Sequence, residues 1–105
     1  MSNQEILTTI KTTVHSFLPD ARVFLFGSRA RGDFNKDSDF DVMIVTKNTI
    51  PPREKQDWRT KINNAIVTAI HAPADILLNS EDEINIKKEL PGHIVRWALK
   101  EEISL

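Results

Sequence analysis

The sequence contains no cysteine, no long apolar run and no excess of charge of either sign. Without cysteine there is no disulfide, zinc–thiolate site or cysteine nucleophile, and a reducing cytoplasm is the expected compartment. The longest apolar runs are four residues, such as 23–26, whereas a bilayer-spanning helix needs about 20. The polar start of the chain carries no signal-peptide pattern. We therefore expect a cytoplasmic protein with no membrane segment.

Charge and length limit the function further. Lys and Arg number 14 and Asp and Glu 15, so the formal charge is −1, too little positive field for general nucleic-acid binding. A chain of 105 residues is expected to form one domain, over 1–105. Such a domain builds one core and one cleft, so a partner or a second copy could be needed to complete a site, and an oligomer is possible.

Hydrophobic periodicity predicts an α+β domain, a small mixed β-sheet with helices packed on it. The predicted order is α-β-β-α-β-α-α. The elements are helices over 3–18 and 53–71, strands over 22–27, 39–46 and 74–78, a short helix opened by a Ser80/Glu83 capping box, a last helix carrying Ile94, Val95, Ala98 and Leu99, and a terminal strand over 103–105.

Two aspartates stand two residues apart at the start of the second predicted strand. Residues i and i+2 of a strand point to one face, so Asp39 and Asp41 present neighbouring carboxylates while Phe40 turns into the core. Like charges this close repel, and a divalent cation such as Mg²⁺ removes that cost. A solvated acidic turn is the alternative. A calcium loop is excluded because Val42 stands where glycine is required and Asn48 where Glu is required.

A Gly-Ser turn follows the first predicted strand. Gly27 allows a sharp reversal and a close approach, and Ser28 then offers a hydroxyl and backbone N–H groups suited to phosphate oxygens. Arg29 and Arg31 add positive charge nearby. The alternative interpretation is an ordinary strand-end turn with solvated arginines.

A third carboxylate, Asp75, opens the predicted strand over 74–78. The crossover helix makes this strand parallel to 39–46, so both begin at the same sheet edge. If the first strand is antiparallel to the second, it ends at that edge. The Gly-Ser turn and the three aspartates then converge on one rim, whereas Asp75 alone could be a simple strand-start residue.

The run Gly27-Ser28-Arg29-Ala30-Arg31-Gly32, with Asp39-Phe40-Asp41 and Asp75, resembles the nucleotidyltransferase superfamily related to DNA polymerase beta. The fuller motif over 21–45 is similar to the minimal nucleotidyltransferases, small prokaryotic proteins that are often encoded beside a helical HEPN-type partner. The end of the chain also resembles theirs. No key family position is substituted.

The resemblance implies a two-metal nucleotidyl transfer with ATP as the donor. If the roles of the matching family residues apply here, the catalytic residues are Asp39, Asp41 and Asp75, and they hold two Mg²⁺ ions. Gly27 and Ser28 hold the β- and γ-phosphates, and Arg29 and Arg31 neutralise charge on pyrophosphate. Asp75 also helps to deprotonate the acceptor hydroxyl.

The resemblance further implies a protein acceptor. Minimal members that are paired with HEPN toxins act as antitoxins, and some transfer AMP to a tyrosine of the toxin. The expected partners are therefore a nucleoside triphosphate and a HEPN-type protein. The alternative is a non-catalytic, nucleotide-binding antitoxin that neutralises its partner by binding.

Overall fold

The computed structural model describes residues 1–90, 92–93, 98 and 103–105. The helices are α1 (Asn3–Phe17), α2 (Gly27–Arg31), α3 (Pro52–Ile70) and α4 (Glu81–Lys87), and the strands are β1 (Arg22–Phe26), β2 (Phe40–Thr46), β3 (Ala74–Ser80) and β4 (Ile103–Ser104). The predicted last helix lies, apart from Ala98, outside the described residues. The α+β class predicted from the sequence is confirmed.

The strands form one mixed sheet in the order β3-β2-β1-β4. β1 is antiparallel to β2 and to β4, while β2 and β3 are parallel because α3 carries the chain back across the sheet. The predicted crossover is therefore confirmed. In consequence, the end of β1 and the starts of β2 and β3 lie at one rim.

Alternation of side chains along the strands gives the sheet two buried faces. One face carries Val42 and Ile44, which pack against the α3 residues Ile62 and Ile66, and all four are fully buried. The other face carries the alternate residues of β1 and β2, which pack with Ile84 of α4. Burying such a side chain contributes about 1.5–3 kcal/mol, so the strands that reach the rim are firmly held.

The helices begin and end where the sequence signals indicate. Ser2 caps α1, accepting from the Glu5 backbone N–H while the Glu5 side chain accepts from the Ser2 N–H. α3 has Pro52 at its first position and ends at Ile70, followed by the C-cap His71, whose φ of 55° is left-handed. Among the described residues, no helix is both long enough and apolar enough to cross a bilayer.

The observed strand boundaries differ from the predicted ones: β1 ends at Phe26, so that Gly27 opens α2, and β2 and β3 also have different limits. β2 begins at Phe40, so Asp39 directly precedes the strand. β3 continues to Ser80, because Asn79 and Ser80 are buried. Ser80 then serves as N-cap of α4: its hydroxyl accepts from the Glu83 N–H at 3.1 Å, which confirms the predicted capping box.

Candidate active site

The turn from β1 into α2 lies directly against one carboxylate. Gly27 has φ +73°, and a Cβ built on it would lie 2.2 Å from Oδ2 of Asp41. This contact follows from the strand register, which pairs Phe26 with Asp41. Any other residue type is disfavoured here, because its Cβ would push the Asp41 carboxylate aside and the backbone conformation is unfavourable for L-residues. The predicted close approach at Gly27 is therefore made to Asp41.

The parallel register places two of the predicted aspartates side by side. Asp41 pairs with Asp75, and Phe40 pairs with Ala74. Neighbouring strands lie about 4.8 Å apart, and paired residues point to the same face. Asp39 shares the rim, one residue before β2. Asp41 is half-buried, whereas Asp39 and Asp75 are exposed.

The chemistry of these carboxylates suits Mg²⁺, which binds hard oxygen ligands. Within the described residues, no three His, Cys, Asp or Glu side chains come close enough to enclose one ion. A Mg²⁺ site does not require such a cage, since the ion usually takes one or two carboxylates together with substrate phosphates. The close approach of Gly27 to Asp41 and the pairing of Asp41 with Asp75 fit that arrangement.

Arg29 binds the loop between α2 and β2. Its guanidinium donates to the Ser38 carbonyl from Nη2 at 3.0 Å and from Nε at 3.3 Å. It also lies over two aromatic rings, 4.4 Å from the Phe34 centroid and 4.2 Å from the Phe40 centroid. Such cation–π contacts stabilise by about 0.5–1 kcal/mol each. Arg29 therefore fixes the loop that delivers Asp39, and its phosphate-binding role stays a prediction.

The rest of this loop is held by local hydrogen bonds. The Ser38 hydroxyl accepts from the Asn35 N–H at 3.0 Å, and the Asn35 side chain accepts from the Asp37 N–H at 2.8 Å. Arg31 makes an exposed ion pair with Asp33 at 3.2 Å. Its predicted role towards pyrophosphate also remains a prediction.

Two residues near Asp75 were not singled out by the sequence analysis. Asn63 of α3 donates from Nδ2 to the Ala74 carbonyl at 3.0 Å, which secures the start of β3. Arg59, one turn earlier on α3, lines a cavity of about 250 Å³ together with Asp75. The available signal was their i, i+4 spacing, a polar row beside the apolar face of α3.

Two comparisons by sequence bear on this rim. Residues 7–104 match the family model described as nucleotidyltransferase domain. Over 54 residues the chain is 44% identical to the provisionally named protein adenylyltransferase MJ0141 of Methanocaldococcus jannaschii, covering 50% of this chain and 54% of the relative. The chain thus spans about half the length of the curated relative that it matches.

Comparison with solved structures reveals the same fold. A provisionally assigned minimal nucleotidyltransferase superposes with a TM-score of 0.68 at 19% identity, covering 100% of this chain and 97% of that one. A chain from the complex of tri-AMPylated Shewanella oneidensis HEPN toxin with MNT antitoxin matches with a TM-score of 0.60 at 13% identity, covering 96% and 69%.

Proposed function

The chain belongs to the nucleotidyltransferase domain family, and on that premise we propose that it transfers AMP from ATP to a hydroxyl group of a partner protein. The observation that carries the proposal is the contact between Gly27 and Asp41, where a Cβ would lie 2.2 Å from the carboxylate. It joins the motif that suits phosphate oxygens to the carboxylate that suits Mg²⁺. A solvated acidic loop would not require this approach.

The residues at the rim have two roles in the proposed reaction, metal binding and phosphate binding. Asp39 and Asp41 would hold two Mg²⁺ ions, with Asp75 completing the second site. When bound, the ions stabilise charge on the attacking and leaving oxygens. The Ser28 hydroxyl and the Gly27 backbone hold the β- and γ-phosphates. Arg31, three residues further along the chain, neutralises negative charge on the leaving pyrophosphate.

The transfer forms one bond and breaks one. The acceptor oxygen attacks the α-phosphorus of ATP, and the bond from that phosphorus to the bridging oxygen of the β-phosphate breaks, so pyrophosphate leaves. The proton of the acceptor hydroxyl passes to Asp75. Positioning of the two reactants and electrostatic stabilisation supply most of the rate.

The proposed partner is a HEPN-type toxin, which this chain would silence as an antitoxin in the cytoplasm. Support comes from the fold shared with a chain of the HEPN–MNT complex, in which the toxin is AMPylated. The relative named as a protein adenylyltransferase supports a protein acceptor.

The test is a transfer assay with α-labelled ATP, Mg²⁺ and a HEPN-type toxin, the proposed partner. We expect label on the partner, lost on addition of EDTA and lost in Asp39→Asn and Asp41→Asn. Asp20→Asn is the matched control, because Asp20 is an exposed carboxylate in the turn before β1, at the end of that strand away from the rim. Its activity should stay within about twofold of wild type.

The other outcomes separate the alternatives. An inhibited but unlabelled partner, with ATP still bound in the presence of Mg²⁺, supports the non-catalytic antitoxin. An unlabelled partner together with no Mg²⁺-dependent binding of ATP refutes the proposal.

A further inference from the structure

β3 is an edge strand, and its outer edge is open within the described residues. It pairs with β2 on one side only. An open edge presents backbone N–H and C=O groups that can pair with an extended segment of another chain. Two cavities reach this edge: one of about 250 Å³ that includes Asp75 and Ile76, and one of about 180 Å³ that includes Leu78 and Asn79. Arg59 lines both of them.

The strand register identifies which backbone groups face outward. The Phe40 N–H donates to the Pro73 carbonyl, so in β3 the groups of Ala74 and every second residue after it point away from β2. Two outward groups are already bonded: the Ala74 carbonyl to Asn63, and the Ser80 N–H to Glu83 at 2.9 Å. The outward groups of Ile76 and Leu78 lie between these two.

Cations line the smaller cavity at this edge, whereas the larger one holds both Arg59 and Asp75. Lys55, Arg59 and Lys87 line the smaller cavity. Lys55 pairs with Glu83 at 2.8 Å, and Lys87 lies 3.9 Å from the same carboxylate. One negative charge is therefore shared between two lysines. Arg59 is half-buried and makes no hydrogen bond or ion pair with any described residue. An anion beside β3 would give this guanidinium a charge-assisted hydrogen bond.

We propose that the outer edge of β3 binds the acceptor as an extended, acidic segment of the partner protein, which adds to the sheet beside Asp75 and pairs with Arg59. The inference rests on the proposed function and names the acceptor class for it. Main-chain bonds to Ile76 and Leu78 hold the segment, and Arg59 selects its charge.

Side-chain alternation then places the acidic residue relative to the hydroxyl. Asp75 and Ile76 are consecutive in β3 and so point to opposite faces of the sheet, and α3, which carries Arg59, packs on the Ile76 face. An added strand continues both faces, so a residue whose hydroxyl faces Asp75 has its immediate neighbours on the α3 side. The preferred acceptor therefore carries Asp or Glu directly next to its hydroxyl residue.

The test measures peptide binding to the full chain, independently of transfer. The probes are fluorescein-labelled nine-residue peptides with a central tyrosine flanked by Glu, by Gln or by Lys, in the presence of Mg²⁺ and a non-hydrolysable ATP analogue. We expect the Glu peptide to bind about tenfold or more tightly than the Gln peptide, the ratio given by one charge-assisted hydrogen bond. N-methylation of alternate backbone nitrogens should abolish binding, since it removes the donors that a sheet edge requires.

Arg59→Gln should bring the Glu and Gln peptides to equal affinity, and Arg59→Lys should restore part of the preference. Arg53→Gln is the matched control: Arg53 is an exposed arginine of the same helix and lines neither cavity. It should leave the preference unchanged. Binding of the ATP analogue should be the same in all three variants.

Equal binding of the Glu and Lys peptides, or no binding of any peptide, overturns the inference. If a second copy of the chain occupies the edge instead, the protein sediments as a dimer and the peptides do not bind, which also overturns it. Label transfer to the partner protein in the earlier assay would survive either result. Conversely, selective peptide binding without any label transfer overturns the proposed function and leaves this binding edge in place.

Discussion

Replacing Gly27 with alanine tests the geometry of the rim most directly. The new methyl group would lie 2.2 Å from Oδ2 of Asp41, and contacts below 3.0 Å essentially do not occur, so the carboxylate must move by about 0.8 Å or the turn must open. A displacement of about 1 Å in a reacting group costs on the order of 100-fold in rate. We therefore expect Gly27→Ala to lower AMP transfer by about 100-fold.

Gly32→Ala separates this overlap from backbone strain. Gly32 has φ +89°, also left-handed, but a Cβ there would meet nothing within 4 Å. Both substitutions carry the strain of an L-residue in this region, about 1–2 kcal/mol, and each kcal/mol lowers the melting temperature by about 4–8 °C in a domain of this size. Only Gly27→Ala should also lower transfer, whereas Gly32→Ala should retain activity within about threefold.

The assay is transfer of α-labelled AMP to the partner at saturating Mg²⁺, with urea unfolding of each variant alongside. The reasoning is refuted if Gly27→Ala transfers AMP within threefold of wild type while its stability matches that of Gly32→Ala. In that case the carboxylate beneath the turn would not be a catalytic group. Equal loss of activity in both variants would instead indicate that general destabilisation is responsible.

Three further predictions concern the supports of the site. Arg29→Ala should lower the free energy of unfolding by about 1–3 kcal/mol, from the lost cation–π contacts and hydrogen bonds, and should speed proteolysis within 33–38; unchanged proteolysis would contradict this. Asn63→Ala should lower stability by about 1 kcal/mol in urea unfolding, because the Ala74 carbonyl loses its donor. Burial raises the pKa of Glu83, but hydrogen bonds from Lys55 and the Ser80 N–H outweigh it and lower that pKa below 4.5. The ionised Glu83 therefore stabilises the fold fully above about pH 4.5, and this stabilisation is lost as the pH falls through the lowered pKa. Glu83→Gln should flatten that part of the curve of unfolding free energy against pH.

Much of the arrangement could be predicted from local patterns. The apolar run at 22–26 and the helical period of 53–70 are strong signals, and a helix between two strands predicts a parallel pair. The spacing of Asp39 and Asp41 then placed both at one rim, and parallel pairing with β3 placed Asp75 beside Asp41. These inferences needed only strand alternation and the direction of each strand.

The parts that could not be predicted depend on contacts between distant residues. Nothing in the sequence shows that Arg29 reaches the Ser38 carbonyl and the ring of Phe40, because the path of the loop decides that. The end of β3 was placed too early because Asn79 and Ser80 are polar, and their burial depends on α4 and on Thr49, which bonds the Ser80 hydroxyl at 2.9 Å.

The sheet order has a consequence for local opening. β1 and β2 each have neighbours on both sides, whereas β3 is paired on one side only among the residues that the structure describes. Opening free energies are highest for such interior strands and lower towards an edge. Amide protons around Asp41 should therefore exchange with solvent only in global unfolding, while those of Leu77 and Asn79, which face β2, should exchange through smaller fluctuations. One carboxylate of the rim is thus rigidly anchored, and its neighbour on β3 belongs to a strand that can move independently of it.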